Sequence, residues 1–368
     1  MSKAQETILE LHFDALTHNY NYLKSKLKPE TKFLAVVKAF AYGSDSIEVA
    51  KHLETLAVDY FAVAYTSEGV ALRDAGITTP ILVLHPQVIN FKTIIERCLE
   101  PSIYSPRILK TFIEIAEQEN QKNYPVHIKF NTGLNRLGFW HNDIEFIVNQ
   151  LKNTSSIVAK SLFSHLAASE DENEKDFTLK QIEDFKNIAS NFETQIGYQP
   201  WFHLCNTSGV INYPEAHFNM VRCGIGLYGF GNSAKEDQNL KPIAKLKSII
   251  SQIHLIEKNE TVGYNRAYKA KGFEKTATIP IGHADGISRQ FGNKKGFVFI
   301  NGQKAPIIGN VCMDMIMVNI TNIDCKEGDE VIVFDGNYKA STLAESANTI
   351  SYEILTAISQ RVKRKIIK

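Results

Sequence analysis

The sequence predicts an α/β architecture: a (β/α)8 barrel of the TIM type, followed by a C-terminal, mainly β domain. Three observations lead there. Between Phe33 and Gly224, eight short apolar runs alternate with segments of helical spacing. Those runs are apolar almost throughout and do not alternate with polar residues, as expected of strands buried on both faces. Beyond Gly231 the composition shifts to a polar stretch and then to closely spaced β-type runs. The expected boundaries are 1–232 for the barrel and 233–368 for the β domain, with the first few residues able to join the latter.

The eight runs are Phe33–Lys38, Tyr60–Tyr65, Pro80–His85, Glu100–Tyr104, Val126–Phe130, Lys160–Leu166, Trp201–Asn206 and Met220–Gly224. Helices fall between them. Ser44–Leu56 places Ile47, Ala50 and Leu53 three apart behind a capping serine. Ser67–Ala75 is closed by Gly76, the residue type that ends helices in a left-handed conformation. A doubly wound sheet would carry its phosphate glycines after the first strand. Here the glycine-rich segment 224–229 follows the eighth run, which favours the closed barrel. Asn232–Lys241 reads as a linker. Strands are expected at Leu246–Ile256, Thr276–Ile281, Phe297–Ile300, Val311–Ile320 and Glu330–Phe334, with turns at Asn301-Gly302 and Asp335-Gly336. Short helices near Leu343–Asn348 and Tyr352–Gln360 are expected to close the chain, and the basic cluster Arg361–Lys365 reads as a solvated tail.

Lys and Arg number 41 against 40 Asp and Glu, a balance that gives no electrostatic case for nucleic acid or an anionic membrane as partner. No run is long and apolar enough for a membrane span, and the polar start lacks a secretory core. The five cysteines include no CxxC pair, which fits a reducing, cytoplasmic setting and no metal site.

In a β/α barrel the chemistry collects at the C-terminal strand ends. The polar residues at or near those ends are Lys38, His85, Tyr104, Lys129, His165, Asn206 and Arg222. A lysine at the rim of a core loses hydration, which lowers its pKa and makes the amine nucleophilic. The loops Cys205–Gly209 and Arg222–Gly226 follow the seventh and eighth runs, where this fold commonly binds phosphate.

Val37-Lys38-Ala39-Phe40-Ala41-Tyr42-Gly43, Ser164-His165-Leu166, Arg222-Cys223-Gly224-Ile225-Gly226, Val262-Gly263-Tyr264-Asn265 and Cys312-Met313-Asp314 together resemble the alanine racemase family, in its order and over nearly the whole chain. The resemblance implies a homodimer with shared active sites and a pyridoxal 5′-phosphate cofactor bound covalently by Lys38. Tyr42, Thr207, Gly224, Ile225 and Tyr352 would hold the phosphate, with Asn206 beside them in the cofactor site. Arg222 would face the pyridine nitrogen. Arg136 would lie near the cofactor O3′ and the substrate carboxylate, and the Met313 backbone would also bind that carboxylate. Lys38 and Tyr264 would be the two bases, with His165 between Arg222 and Tyr264, and Lys129 matches a lysine carbamylated in many members. The implied reaction interconverts L- and D-alanine, supplying D-alanine for peptidoglycan.

Two segments depart from the family pattern. His283 stands where a tyrosine usually narrows the substrate entrance, and Phe130-Asn131 replaces an Ile-Asp type pair after Lys129. Alternative readings are a broader-specificity amino-acid racemase, a basic-amino-acid decarboxylase of the same barrel type, and a non-catalytic pyridoxal-phosphate-binding protein.

Overall fold

The computed structural model describes residues 6–368. Strand β1 (Ile8–His12) precedes a closed barrel of eight parallel strands: β2 (Lys32–Val36), β3 (Tyr60–Val63), β4 (Ile81–Val83), β5 (Glu100–Ile103), β6 (Tyr124–Lys129), β7 (Ile157–Phe163), β8 (Trp201–His203) and β9 (Met220–Cys223). Closure is made by β9 pairing with β2, Lys32 opposite Met220 through Ala35 opposite Cys223. All eight predicted runs overlap a barrel strand; β2, β6 and β7 begin one to three residues before their runs, and every strand ends one to three residues before its run because the rim residues turn away from the ladder.

The helices that wrap the barrel follow local rules. Helix Pro106–Gln118 begins with the Ser105 hydroxyl accepting the Ile108 N–H and proline in its first turn, and it buries Ile108, Leu109, Phe112 and Ala116. Gly76 has φ +90, as a helix-terminating glycine should. The expected linker is folded. Ala234–Asp237 is a short helix whose buried Glu236 accepts from Ser208 Oγ (3.0 Å) and Asn212 Nδ2 (2.8 Å).

Contacts divide the chain into two compact units: one of Thr17–Ala41 and Ser46–Leu240, the other of the segment ending at Leu16, Tyr42–Asp45 and Lys241–Lys368. The second unit carries β1, β10 (Ala244–Ile249), β11 (Gln252–Ile256), β12 (Thr261–Val262), β13 (Tyr268–Lys269), β14 (Glu274–Ile279), β15 (Phe297–Ile300), β16 (Gln303–Ile308), β17 (Ile316–Asn319), β18 (Glu330–Phe334) and β19 (Lys363–Ile367). Nine of these form a sheet in the order β11-β14-β17-β16-β15-β18-β10-β1-β19. The Asn301-Gly302 turn joins β15 to β16 with both residues at positive φ, 49 and 77.

Four expectations are corrected here. The run 246–256 is two strands, because the Ile250 N–H turns to Asp329 while the Ser251 N–H turns to Thr278 on another strand. The run 311–320 is strand only from Ile316, since Cys312–Met315 forms a turn. β16 was hidden by its polar start and by Pro306, a residue sheets rarely accept. The two expected short helices are present, as Ala340–Glu345 and Ser351–Thr356, but the basic cluster after them is not a solvated tail: it carries β19, which ends the sheet by pairing in parallel with β1. Arg364 within it donates to the carbonyls of Gly43, Ser44, Ile358, Ser359 and Val362.

Candidate active site

Lys38 lies two residues beyond β2, at the start of a helical turn, Lys38–Gly43, of unusual hand. Ala39, Phe40, Ala41 and Tyr42 have φ of 53, 54, 52 and 53, a left-handed turn of residues that disfavour it by about 1–2 kcal/mol each. Bonds outside the turn hold it. The Ala41 N–H donates to Val37 O at 3.0 Å. The Glu68 carboxylate accepts from the N–H groups of Ala39 (2.6 Å), Ala64 (2.7 Å) and Tyr65 (3.2 Å). Burial lowers the Lys38 pKa, the charge of Arg136 lowers it further, and Glu68 partly restores it.

Lys129 ends β6 and is buried; burial and the charges of Arg136, Arg222 and Lys38 push its amine down to about 8. Arg222, within β9, is buried and donates to five acceptors: His203 Nδ1 (2.8 Å) and O (3.1 Å), Ser164 O (2.6 Å), Leu204 O (3.0 Å) and His165 Nδ1 (3.1 Å). Burial lowers it only to about 10, so it stays charged at neutral pH. Its guanidinium lies over the Phe163 ring at 5.3 Å, with Lys129 Nζ over the same ring at 5.8 Å. His165 is held well below the ordinary histidine range by burial and then by Arg222, so it is neutral. Because Arg222 can only donate, His165 Nδ1 is the acceptor and Nε2 carries the proton.

The departure at Asn131 proves compatible with the loop it opens. Its amide oxygen accepts from the Gly133 (3.2 Å) and Asn135 (2.9 Å) N–H groups, as a carboxylate would, and its Nδ2 donates to Asn135 Oδ1 (2.8 Å). The loop bearing exposed Arg136 is then closed by Phe139 N–H to Lys129 O and Asn131 N–H to Phe139 O, both 2.8 Å. Gly138 (φ +131) is required there, since a Cβ would strike the Phe130 backbone.

The loops after β8 and β9 lock together. Asn206 caps helix Thr207–Asn212 through Gly209 N–H (2.8 Å) and also accepts from Ser169 Oγ (2.8 Å). Thr207 Oγ1 accepts from the N–H groups of Gly224 (3.2 Å) and Gly226 (3.3 Å), and Gly226 must be glycine because a Cβ would collide with Thr207. Thr207, Gly224 and Ile225 are buried in this knot.

In the second unit the rings of Tyr42 and Tyr352 lie 5.8 Å apart, and a Cβ on Gly43 (φ +79) would strike the Leu355 carbonyl. Tyr264 is 73 % and Met313 58 % exposed. Both line an open cavity of about 590 Å³ with His254, Ile256, Cys312 and Met317. The turn bearing His283 is zipped to the Met313 segment by His283 N–H to Cys312 O (2.9 Å) and Ala284 N–H to Met313 O (3.0 Å). Arg361 ties the same two segments, through Asp285 (2.7 Å) and Asp314 (2.6 Å).

His85 and Tyr104 keep local partners. Their rings are 5.8 Å apart, Tyr104 donates to Pro86 O, and Gln87 meets both. Glu68 and Arg361 escaped the sequence reading because each acts on segments distant in sequence; the only signal for Glu68 was an acidic residue in the first turn of its helix.

A family model described as alanine racemase, N-terminal domain, matches residues 11–231, and another, alanine racemase, C-terminal domain, matches residues 243–366. Alanine racemase 2 of Oceanobacillus iheyensis is 34 % identical over 98 % of this chain and 93 % of its own. Alanine racemase 2 of Bacillus subtilis is 36 % identical over 99 % and 95 %. The solved alanine racemase of Clostridium difficile 630 is 36 % identical and superposes with a TM-score of 0.93, covering 100 % of this chain and 97 % of that one. Sequence, fold and both halves of the chain agree: it belongs to the alanine racemase family.

Proposed function

We propose that Lys38 and Tyr264 are the two proton-transfer residues of this chain, a pyridoxal 5′-phosphate-dependent isomerase that interconverts L- and D-alanine. The single observation that carries the reading is the desolvated Lys38 amine among Lys129, Arg136 and Arg222, with Glu68 as its one carboxylate influence. The residues present fit the cofactor. An amine of lowered pKa suits its aldehyde, and a rim of cations suits its phosphate and phenolic oxygen. The hydrogen bonds of Arg222 to the described residues all leave from Nη1 and Nη2, so Nε is the donor left for a ring nitrogen.

When bound, the cofactor supplies the electron sink that stabilises negative charge at the substrate Cα. Lys38 takes or returns the Cα proton on one face and Tyr264 on the other. Arg136 and the Met313 backbone orient the carboxylate. Thr207, Gly224 and Ile225, with Tyr42 and Tyr352, would hold the phosphate, and Asn206 supports them as the cap of helix Thr207–Asn212. Arg222 cannot give up its proton at working pH, so it leaves the pyridine nitrogen unprotonated and tempers the sink. A phenol titrates near pH 10, so a basic Tyr264 needs roughly 3 units, or ~4 kcal/mol, of phenolate stabilisation. The proton on His165 Nε2, polarised by Arg222, is the donor we assign to that task.

We also infer a homodimer in which Tyr264 and Met313 serve the partner's site. The support is the apolar surface that Leu255, Tyr264, Phe273, Met313 and Met315 leave exposed. The five unpaired cysteines support a cytoplasmic setting, where D-alanine would feed peptidoglycan synthesis. Among the described residues no helix is long and apolar enough to cross a membrane.

The test is racemisation of L-alanine in D2O, following optical rotation and Cα deuteration, with L-serine and L-lysine alongside to gauge His283 at the entrance. Lys38→Ala should abolish both signals. Tyr264→Phe should cut turnover by about 10²–10⁴, and His165→Ala should shift the pH–rate profile. Full activity in Tyr264→Phe would remove the second base, and Cα exchange absent from the parent would favour the non-catalytic binding protein.

A further inference from the structure

Beneath the mouth lies a second set of polar side chains that the reaction as described does not use. His127, Ser161 and His203 have no exposed surface, and Glu100, at the opposite end of the barrel strands from Arg222's neighbours Ser164 and His165, is 9 % exposed. Strand register brings them together, with His127 directly across from Ser161 and His203 across from Phe163. The His203 ring stacks on Phe163 at 4.8 Å and 8°. The links are continuous: Arg222 Nη1 to His203 Nδ1 (2.8 Å), His203 Nε2 to Ser161 Oγ (2.8 Å), Ser161 Oγ to His127 Nδ1 (2.6 Å) and His127 Nε2 to Glu100 Oε2 (2.6 Å).

The two ends of this series fix the order of its protons. Arg222 can only donate, so His203 Nδ1 accepts and its proton sits on Nε2. That proton points at Ser161, whose own proton is then directed to His127 Nδ1, leaving the His127 proton on Nε2 for Glu100. An ionised carboxylate can only accept, and Glu100 takes a further hydrogen bond from Tyr60 Oη (3.1 Å). Neutral histidines satisfy every link. A charged His203 would aim a proton at the guanidinium; a charged His127 would leave Ser161 accepting from both sides.

We propose that Glu100, His127 and Ser161 are positioning residues for Arg222: through His203 they hold the guanidinium at one place and angle, which rests on the reading that Arg222 faces the pyridine nitrogen. A polar network serving stability alone would keep the barrel folded yet leave the behaviour of Arg222 unchanged when cut. Burial also keeps His203 well below the ordinary histidine range, in line with a neutral ring.

The test uses holoenzyme with ¹⁵N-labelled histidine, whose two-bond ¹H–¹⁵N spectra report tautomers. The expected result is that His127 and His203 both carry a proton on Nε2 and accept at Nδ1. Ser161→Ala should let His203 sample its other tautomer and lower the number of racemisation turnovers per pyridoxamine 5′-phosphate formed by about tenfold, the weight of one buried hydrogen bond. Ser161→Thr, which keeps the hydroxyl, should restore both. A proton on His203 Nδ1 in the parent protein overturns the relay without need of any variant. So does Ser161→Ala with an unchanged tautomer and an unchanged partition. If the tautomers follow the relay but Arg222→Lys leaves the partition unaltered, the failure lies with the placement of Arg222 at the pyridine nitrogen.

Discussion

Lys129 shows how much this fold spends at one residue to keep its site cationic. Its amine is depressed to about 8, against ~10.4 in an unfolded chain. Below the folded value both states are protonated, and the fold carries the whole penalty, roughly 3 kcal/mol. Between the two values the unfolded chain binds the extra proton, so stability rises with pH; above both, the penalty is gone. Lys129→Met in cofactor-free protein is therefore expected to raise the denaturation midpoint at pH 7, with the gain shrinking as pH climbs past 8. A gain that is the same at all pH values would show that packing, not charge, is responsible.

The left-handed turn Lys38–Gly43 is an element whose sequence does not favour its own conformation. Three residues in it are alanine or phenylalanine where glycine would be unstrained. The turn persists because Glu68 ties the Ala39 N–H to the residues just after β3, and Glu68 is also the one group that raises the Lys38 pKa. Glu68→Gln replaces an acceptor oxygen with a donor facing backbone N–H groups. It is expected to cost about 1–3 kcal/mol of stability. It should also lower the Lys38 pKa further, read in cofactor-free protein as faster modification of Lys38 by an amine reagent at fixed pH. Slower or unchanged labelling would refute the electrostatic part of this account. Arg361 plays the matching part in the second unit, where it fixes the Met313 segment against the turn of His283.

At the scale of the whole molecule, the proposed placement of Lys38 and Tyr264 in different subunits of one site makes a quantitative prediction. Lys38→Ala and Tyr264→Phe homodimers are each inactive or nearly so. Mixed and allowed to exchange subunits, half the dimers are heterodimers, and each of those has one site with both bases, so about a quarter of the parental activity should return. Activity that stays at the level of the separate variants after subunit exchange, verified by mass, would place both bases in one chain.

Much of this was legible in the residues. Eight apolar runs gave the barrel because strands covered on both faces have no polar side to show. Lys38, Arg222 and the glycines of the 224–226 loop stood out because strand-end cations and close-approach glycines are poor choices for a core. What remained hidden depends on pairing between distant segments. Arg361–Lys365 reads as solvated until β1, more than 350 residues earlier in the chain, is seen to lie beside Lys363–Ile367. His127 and His203 sit inside apolar runs with no signal of their own, and only the strand register sets them on either side of Ser161. Composition and spacing report what each segment would bury; which donor meets which acceptor is settled only when the sheet closes, since a hydrogen bond depends on ångström-scale distance and direction that one-dimensional order does not contain.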